Sequence, residues 1–308
     1  MGRGLPEHTS CIVIRELIRA VRKQERTMTA QAKSSISSLG TVGAFLKGRA
    51  CSDTLFHVLN RAFAQPMKTE ERAALLLAGG MMQHGYQCGM IWGAALAAGA
   101  QAYRLFGPGA QAETGAILAS QRLVEIFRAR NNTINCHDIT NLDTSSTNLQ
   151  MINYFLIKGG TIGCFRMTAE YAPDAFTVID SVLAEKQFEV QCTPASCATL
   201  LAQKMGASDR HAVMAAGLAG GIGLCGGGCG ALGAAIWIIG MNSIKNGAGK
   251  IEFKNPRAID AIESFMECTD YELECSAIVG RNFENTDEHA GYLQEGGCSK
   301  LIEVLAAT

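Results

Sequence analysis

The chain repeats itself, and the repeat is anchored on cysteines. Ala78-Gly79-Gly80 followed by Cys88-Gly89 lies over Ala219-Gly220-Gly221 followed by Cys229-Gly230, with one offset between the glycine pairs and between the cysteines. Cys88-Gly-Met-Ile-Trp-Gly93-Ala-Ala-Leu then lies over Cys229-Gly-Ala-Leu-Gly233-Ala-Ala-Ile, with one residue inserted. Upstream, Cys51-Ser-Asp-Thr-Leu matches Cys197-Ala-Thr-Leu-Leu. Downstream, Asn135-Cys136-His-Asp-Ile matches Glu274-Cys275-Ser-Ala-Ile, and Lys158-Gly-Gly-Thr-Ile-Gly-Cys164 matches Glu295-Gly-Gly-Cys298. The cysteine gaps run 37, 48 and 28 in the first copy and 32, 46 and 23 in the second. Four cysteines recurring in one order, each with matching neighbours, mark two copies of one structural unit.

Helical periods dominate both copies. Ile117, Val124 and Phe127 fall on one helical face, as do Phe176, Ile179 and Leu183; Asn255-Pro256 supplies an N-cap and a first-turn proline ahead of Ile259, Ile262 and Met266. Few stretches alternate as half-buried strands do. The expected fold is all-α, two tandem homologous helical-bundle units packed about a pseudo-twofold axis. The expected organisation is residues 1–33 as a basic amphipathic helix and linker, 34–172 as the first and more divergent repeat, and 173–308 as the second. In the N-terminal segment Ile14, Leu17, Ile18 and Val21 share one face, and Arg15, Arg19, Arg22, Lys23 and Arg26 take the remaining surface.

Two long uncharged stretches, Ala73 to Tyr103 and Ala212 to Ile244, are long enough to raise the question of a membrane span. Glycines cluster in the middle of the second, and His84 and Gln87 interrupt the first, so both read as buried helix–loop–helix segments. With 27 basic against 28 acidic side chains and 6% aromatic residues, no one-sided field or stacking surface recruits nucleic acid. Twelve cysteines in 308 residues that are 48% hydrophobic do not describe a short disulfide-stapled secreted scaffold. No signal peptide is recognised, and a reducing, cytoplasmic setting is expected, in which thiols serve metal or redox chemistry.

The cysteines therefore carry the chemistry. Thiolates are soft ligands suited to iron–sulfur clusters and zinc. Structural zinc sites generally use closely spaced C-x₂-C pairs, which are missing here. Cys225 and Cys229 lack the third nearby cysteine of a radical-type cluster motif, and Gly221 to Gly226 fits G-x-G-x-x-G without a preceding strand. The run Gly226–Gly228 is expected to let the backbone turn tightly before Cys229, placing that sulfur at a helix N-terminus. Gly228, Gly230 and Gly233 are candidate cofactor-contacting positions, since a small residue lets a cluster or a second helix approach. His84 and His137 beside motif cysteines read as satisfied polar residues, with a substitute ligand as the alternative; Trp92 and Trp237 read as core, and Cys11, Cys192 and Cys268, unmatched between copies, as structural.

Cys197-Ala-Thr-Leu-Leu, Gly-Gly-Ile-Gly, Gly-Cys229-Gly-Ala-Leu-Gly233, Cys275 and Gly-Gly-Cys298 resemble the redox-active family named for its C…GCAxxG…C…C pattern. The resemblance covers roughly residues 180–305, and 40–170 as a second copy. It implies a small helical domain with four redox-active cysteines, a version of which binds a two-iron cluster when attached to a cytochrome. Gly230 stands in place of the motif alanine, and Gln87 in place of the motif glycine in the first copy.

The expected cofactor is an iron–sulfur cluster, [2Fe–2S] in type, one or two per chain. Its ligands would be Cys197, Cys229, Cys275 and Cys298 in the second copy and Cys51, Cys88, Cys136 and Cys164 in the first. The expected role is electron transfer or redox sensing with a redox partner protein, and no residues for substrate conversion are evident. Metal-free thiol–disulfide chemistry and a scaffold with buried inert cysteines are the rival readings. The inserted residue would rotate Gly93 by about 100° around its helix, off the face where a partner helix approaches. The second site is thus expected to be the stronger.

Overall fold

The computed structural model describes residues 50–185, 196–245 and 253–308, with the isolated positions 36, 43, 247 and 251. The expected N-terminal helix over 1–33, Cys11 and Cys192 lie outside the described residues. Among those described there are fourteen α-helices and no strand, only two isolated β-bridges. The first repeat contains α1 (Cys51–Ala62), α2 (Lys68–Ala73), α3 (Gly89–Phe106), α4 (Ala110–Asn131), α5 (Cys136–Thr140), α6 (Asn148–Ile152) and α7 (Gly160–Ala184). The second repeats that order with α8 (Cys197–Lys204), α9 (Asp209–Ala216), α10 (Gly230–Lys245), α11 (Pro256–Cys268), α12 (Cys275–Val279), α13 (Thr286–Gln294) and α14 (Ser299–Ala306).

The two uncharged stretches form the centre of the molecule. Helices α3 and α10 are apolar all round, as a helix surrounded by others must be, and Trp92 and Trp237 within them are fully buried. No helix among the described residues is long and apolar enough to cross a membrane. The periodic faces dock as their spacing requires. Ile117, Val124, Phe127, Phe176, Ile179 and Leu183 are all buried. Asn255 caps α11 by accepting from Ala258 N–H at 3.2 Å, with Pro256 at the first helical position.

Contacts between the repeats are reciprocal, as the pseudo-twofold expectation requires. Helix α3 of the first repeat packs on α9 of the second, while α10 of the second packs on α2 of the first. At the first crossing Gly99 lies against the backbone of Met214; at its counterpart Gly240 lies against Ala73. Glu70 and His211 occupy equivalent positions and meet each other, His211 Nε2 lying 3.1 Å from Glu70 Oε1. Arg210 adds a second contact to the same oxygen at 2.8 Å, and Trp237 Nε1 donates to Glu70 O at 2.9 Å. The hydrogen bond from His211 holds the Glu70 carboxyl below its ordinary range, with Arg210 adding to it.

Gly99 tests the interface directly, because a methyl there would overlap the Met214 backbone. Gly99→Ala is expected to cost about 1–3 kcal/mol and to lower the melting temperature accordingly in a thermal scan. Gly163→Ala, where nothing lies within 4 Å, is expected to cause no loss.

Candidate functional site

Each central helix is introduced by one irregular loop, and the two loops match bond for bond. Cys88 N–H donates to Ile134 O at 2.7 Å, and Cys229 N–H to Leu273 O at 2.8 Å. Cys136 N–H donates to Tyr86 O and Cys275 N–H to Gly227 O, both at 2.7 Å. The β-bridges Gln87–Asn135 and Gly228–Glu274 lie between them. The second and third cysteines of each repeat are thus held together by paired backbone hydrogen bonds.

Just before this pairing the backbone runs left-handed for five residues. Gly79, Gly80, Met81, Met82 and Gln83 all have positive φ, as do Gly220, Gly221, Ile222, Gly223 and Leu224. Left-handed helical geometry costs L-residues about 1–2 kcal/mol each, and for β-branched Ile222 at φ 66° it is a genuine outlier. The turn starts at an amide that serves a sulfur. Gly79 N–H donates to the Cys51 sulfur, and Gly220 N–H to that of Cys197.

Seven of the eight repeated cysteines stand at a helix start. Cys51, Cys136, Cys197 and Cys275 are the first residues of α1, α5, α8 and α12; Cys88 and Cys298 are N-caps of α3 and α14; Cys229 immediately precedes α10. Cys164 is the exception, one turn inside α7. Helix starts present free N–H groups and positive partial charge, both of which favour an ionised sulfur. Met90 N–H donates to Cys88, and the Ala231 and Leu232 N–H groups donate to Cys229.

The cysteines gather into two nests. In the first, Cys51 and Cys88 are hydrogen-bonded through their thiols, and Cys88, Cys136 and Cys164 each sense the field of Cys51. In the second, Cys229, Cys275 and Cys298 each sense the field of other members of the set Cys197, Cys229, Cys275 and Cys298. All ten described cysteines are free thiols. Burial pushes Cys136 and Cys164 up to about 12 and Cys298 to about 11, with neighbouring sulfurs adding to the shift; Cys229 and Cys275 rise further still. Cys51 moves the other way, because the Cys88 thiol and the Gly79 amide donate to it. Among the described residues, no group of three or more His, Cys, Asp or Glu is placed to hold a metal ion.

A tyrosine completes each nest, and the cysteine pattern alone did not reveal it. The Tyr154 hydroxyl bonds to Cys164 and the Tyr292 hydroxyl to Cys298, and burial pushes both phenols up to about 12. Each ring lies over a glycine of the Gly-Gly pair, Gly160 or Gly297, where a methyl would overlap it. Tyr154 follows Cys136 by 18 residues and Tyr292 follows Cys275 by 17, so extending the repeat alignment would have found the pair. A π-helical turn, Asn153–Ile157, carries Tyr154.

The repeats differ where the nests meet solvent. Against Cys136 lies a cavity of about 40 Å³, walled by Met151 and Phe155 from the segment that lengthens the first copy. Against Cys298 and Tyr292 lies a groove of about 550 Å³, which Cys268 also lines. Cys225 stands apart, its thiol donating to Gly223 O and its charge sensing Arg128. Its counterpart His84 is half-buried, and burial alone lowers its imidazole.

Two expectations about glycine are corrected. Of Gly226–Gly228 only Gly226 adopts positive φ. Gly227 and Gly228 are small because the Gln87 side chain lies on them. Gly93 is not displaced from a helix approach, since it sits against Ser52 O where α1 crosses α3, whereas Gly233 receives the ring of Trp92. Gly230, in place of the motif alanine, packs so closely on Leu218 O that a methyl would overlap it; its counterpart Gly89 leaves the same room beside the Cys51 sulfur.

A family model described as "Putative redox-active protein (C_GCAxxG_C_C)" matches residues 49–173 and again residues 190–308. None of the curated proteins and none of the solved structures gives a significant match.

The opposed shifts within the first nest are directly measurable. In reduced, metal-free protein at mildly alkaline pH, Cys51 is expected to be the first of its four thiols to react with iodoacetamide. Its ionisation lies below the ordinary thiol value, whereas Cys136 and Cys164 lie near 12. Peptide mass mapping across a pH series reads the order, and Cys88→Ala is expected to move the Cys51 profile to higher pH.

Proposed function

Because this chain belongs to the C_GCAxxG_C_C family of redox-active proteins, we propose that each nest holds an iron–sulfur cluster, [2Fe–2S] in type, and that the protein exchanges single electrons with a redox partner protein in a reducing, cytoplasmic setting. The observation that carries this reading is the placement of seven sulfurs at helix starts, with backbone N–H groups donated to four of them, Cys51, Cys88, Cys197 and Cys229. Four thiolates around a cluster need compensating positive charge, and helix N-termini and amide donors supply it inside a low-dielectric interior.

Four soft thiolates per nest are the donor chemistry that such a cluster takes. Cys51, Cys88, Cys136 and Cys164 would ligate in the first nest, and Cys197, Cys229, Cys275 and Cys298 in the second. A two-iron cluster divides four thiolates between two metals, so the sulfurs need not converge on one centre as they would around zinc. When bound, the cluster supplies one-electron chemistry. The chain's own residues hold the thiolates, donate N–H groups that tune the potential, and exclude water through the apolar walls of α3 and α10. Gly228, Gly230 and Gly233 contribute by letting backbone and neighbouring side chains close around the nest.

Dithiol chemistry is the second reading, favoured by the hydrogen bond between Cys51 and Cys88. There, two thiols would lose two protons and two electrons to an oxidised partner and form one disulfide. Anaerobically purified or reconstituted protein separates the two. The cluster reading expects brown protein with iron and acid-labile sulfide in equal amounts, about two irons per filled nest, and Cys229→Ser should lose most of the iron from its nest. Colourless, iron-free protein that loses two mass units between Cys51 and Cys88 on oxidation would overturn it in favour of the dithiol.

A further inference from the structure

Five of the seven large apolar side chains exposed among the described residues fall within residues 149–162. Leu149, Leu156, Ile157 and Ile162 are 72–75% exposed, and Ile152 is 50% exposed. They lie on α6, on the π-helical turn Asn153–Ile157 and on the first turn of α7. Local rules fix this segment. Thr147 and Gln150 form a capping box at the start of α6, Met151 and Phe155 wall the cavity beside Cys136, and Tyr154 is bonded to Cys164. One face is thus anchored on the first nest, while the other presents leucine and isoleucine to solvent. Apolar side chains gathered in this way mark an interaction surface.

The charge on the segment is one-sided too. Residues 144–169 contain no Asp or Glu, and their two cations, Lys158 and Arg166, are both exposed. Lys158 directly follows Ile157. The flanking carboxylates are already engaged. Asp143 accepts from Ser145 and lies 3.4 Å from His137, and Glu170 lies 3.7 Å from Arg130 and 3.8 Å from Arg166.

We propose that this face is an interfacial docking surface for an anionic lipid bilayer. Leu149, Ile152, Leu156, Ile157 and Ile162 enter the boundary between headgroups and acyl chains, Lys158 meets the lipid phosphates, and the chain lies on the membrane without crossing it. Side chains so exposed stand out from the surface rather than line a groove, which suits insertion into a fluid layer. A second copy fits less well, because two such faces would bring their lysines together with no carboxylate on the patch to answer them. Nothing in this assignment depends on what the cysteines bind.

The test is cosedimentation of the full reduced chain with vesicles of phosphatidylcholine, alone or mixed with phosphatidylglycerol, over a salt series. Binding to the mixed vesicles is expected, weakening as salt rises. Leu156→Ser combined with Ile157→Ser is expected to weaken it about tenfold or more, at an unchanged melting temperature. Lys158→Gln is expected to weaken binding to the mixed vesicles about fivefold. Should the double variant melt lower, Lys158→Gln and the salt series decide. No binding to mixed vesicles overturns the assignment, and so does equal binding by the substituted chains, the result expected if the basic segment over residues 1–33 alone held the lipid. A dimer in sedimentation velocity that the double variant abolishes, with no vesicle binding, overturns it in favour of a contact between two copies.

Discussion

Sulfur in this fold is withdrawn from water, and the architecture follows from what that withdrawal demands. An ionised thiol in an apolar interior is tolerable only where positive partial charge is already in place. The chain meets the demand with backbone rather than with lysine or arginine. Helices begin at the cysteines, and loop amides are turned toward the sulfurs of Cys51 and Cys197. Several very short helices, such as α5 and α12, make structural sense in these terms. They are too short to stabilise themselves, and each begins at a cysteine that a backbone hydrogen bond ties to the loop of the central helix.

The left-handed turns belong to the same account. A run of five residues against the preferred hand is costly, and chains use it where the surroundings over-determine it. Here the turn delivers an amide to the first cysteine and leads the chain to the backbone pairing that fixes the second and third. Met81, Met82, Gln83, Ile222 and Leu224 carry the cost alongside glycines that do not. Their burial offsets part of it, since Met81 and Ile222 are fully enclosed.

The repeat, the helical class and the grouping of cysteines into two sets of four were legible because each rests on spacing. What stayed hidden depended on who sits opposite whom. The glycine run before Cys229 looked like turn chemistry, yet two of its members are small to receive Gln87. Gln87 itself, compared only with its counterpart, read as a departure from the motif glycine; only the seam between the repeats shows its two partners, Gly221 O and Gly228 N–H. Gly93 seemed to be rotated out of use, but α1 meets it where it stands. Tyr154 and Tyr292 escaped notice because an inserted residue and a π-helical turn blur the alignment near them.

Knob and hole across the seam fall at equivalent positions: Tyr86-Gln87 on one side, Gly227-Gly228 on the other. A dimer of identical chains could not make this arrangement. Two glutamines would compete for one space, and two glycines would leave it empty. The clasp therefore requires two copies that differ at this position, which one chain carrying both supplies. Having both copies in one chain allows a lopsided joint, and with it a molecule whose two halves hold the same four-cysteine pattern but are not interchangeable.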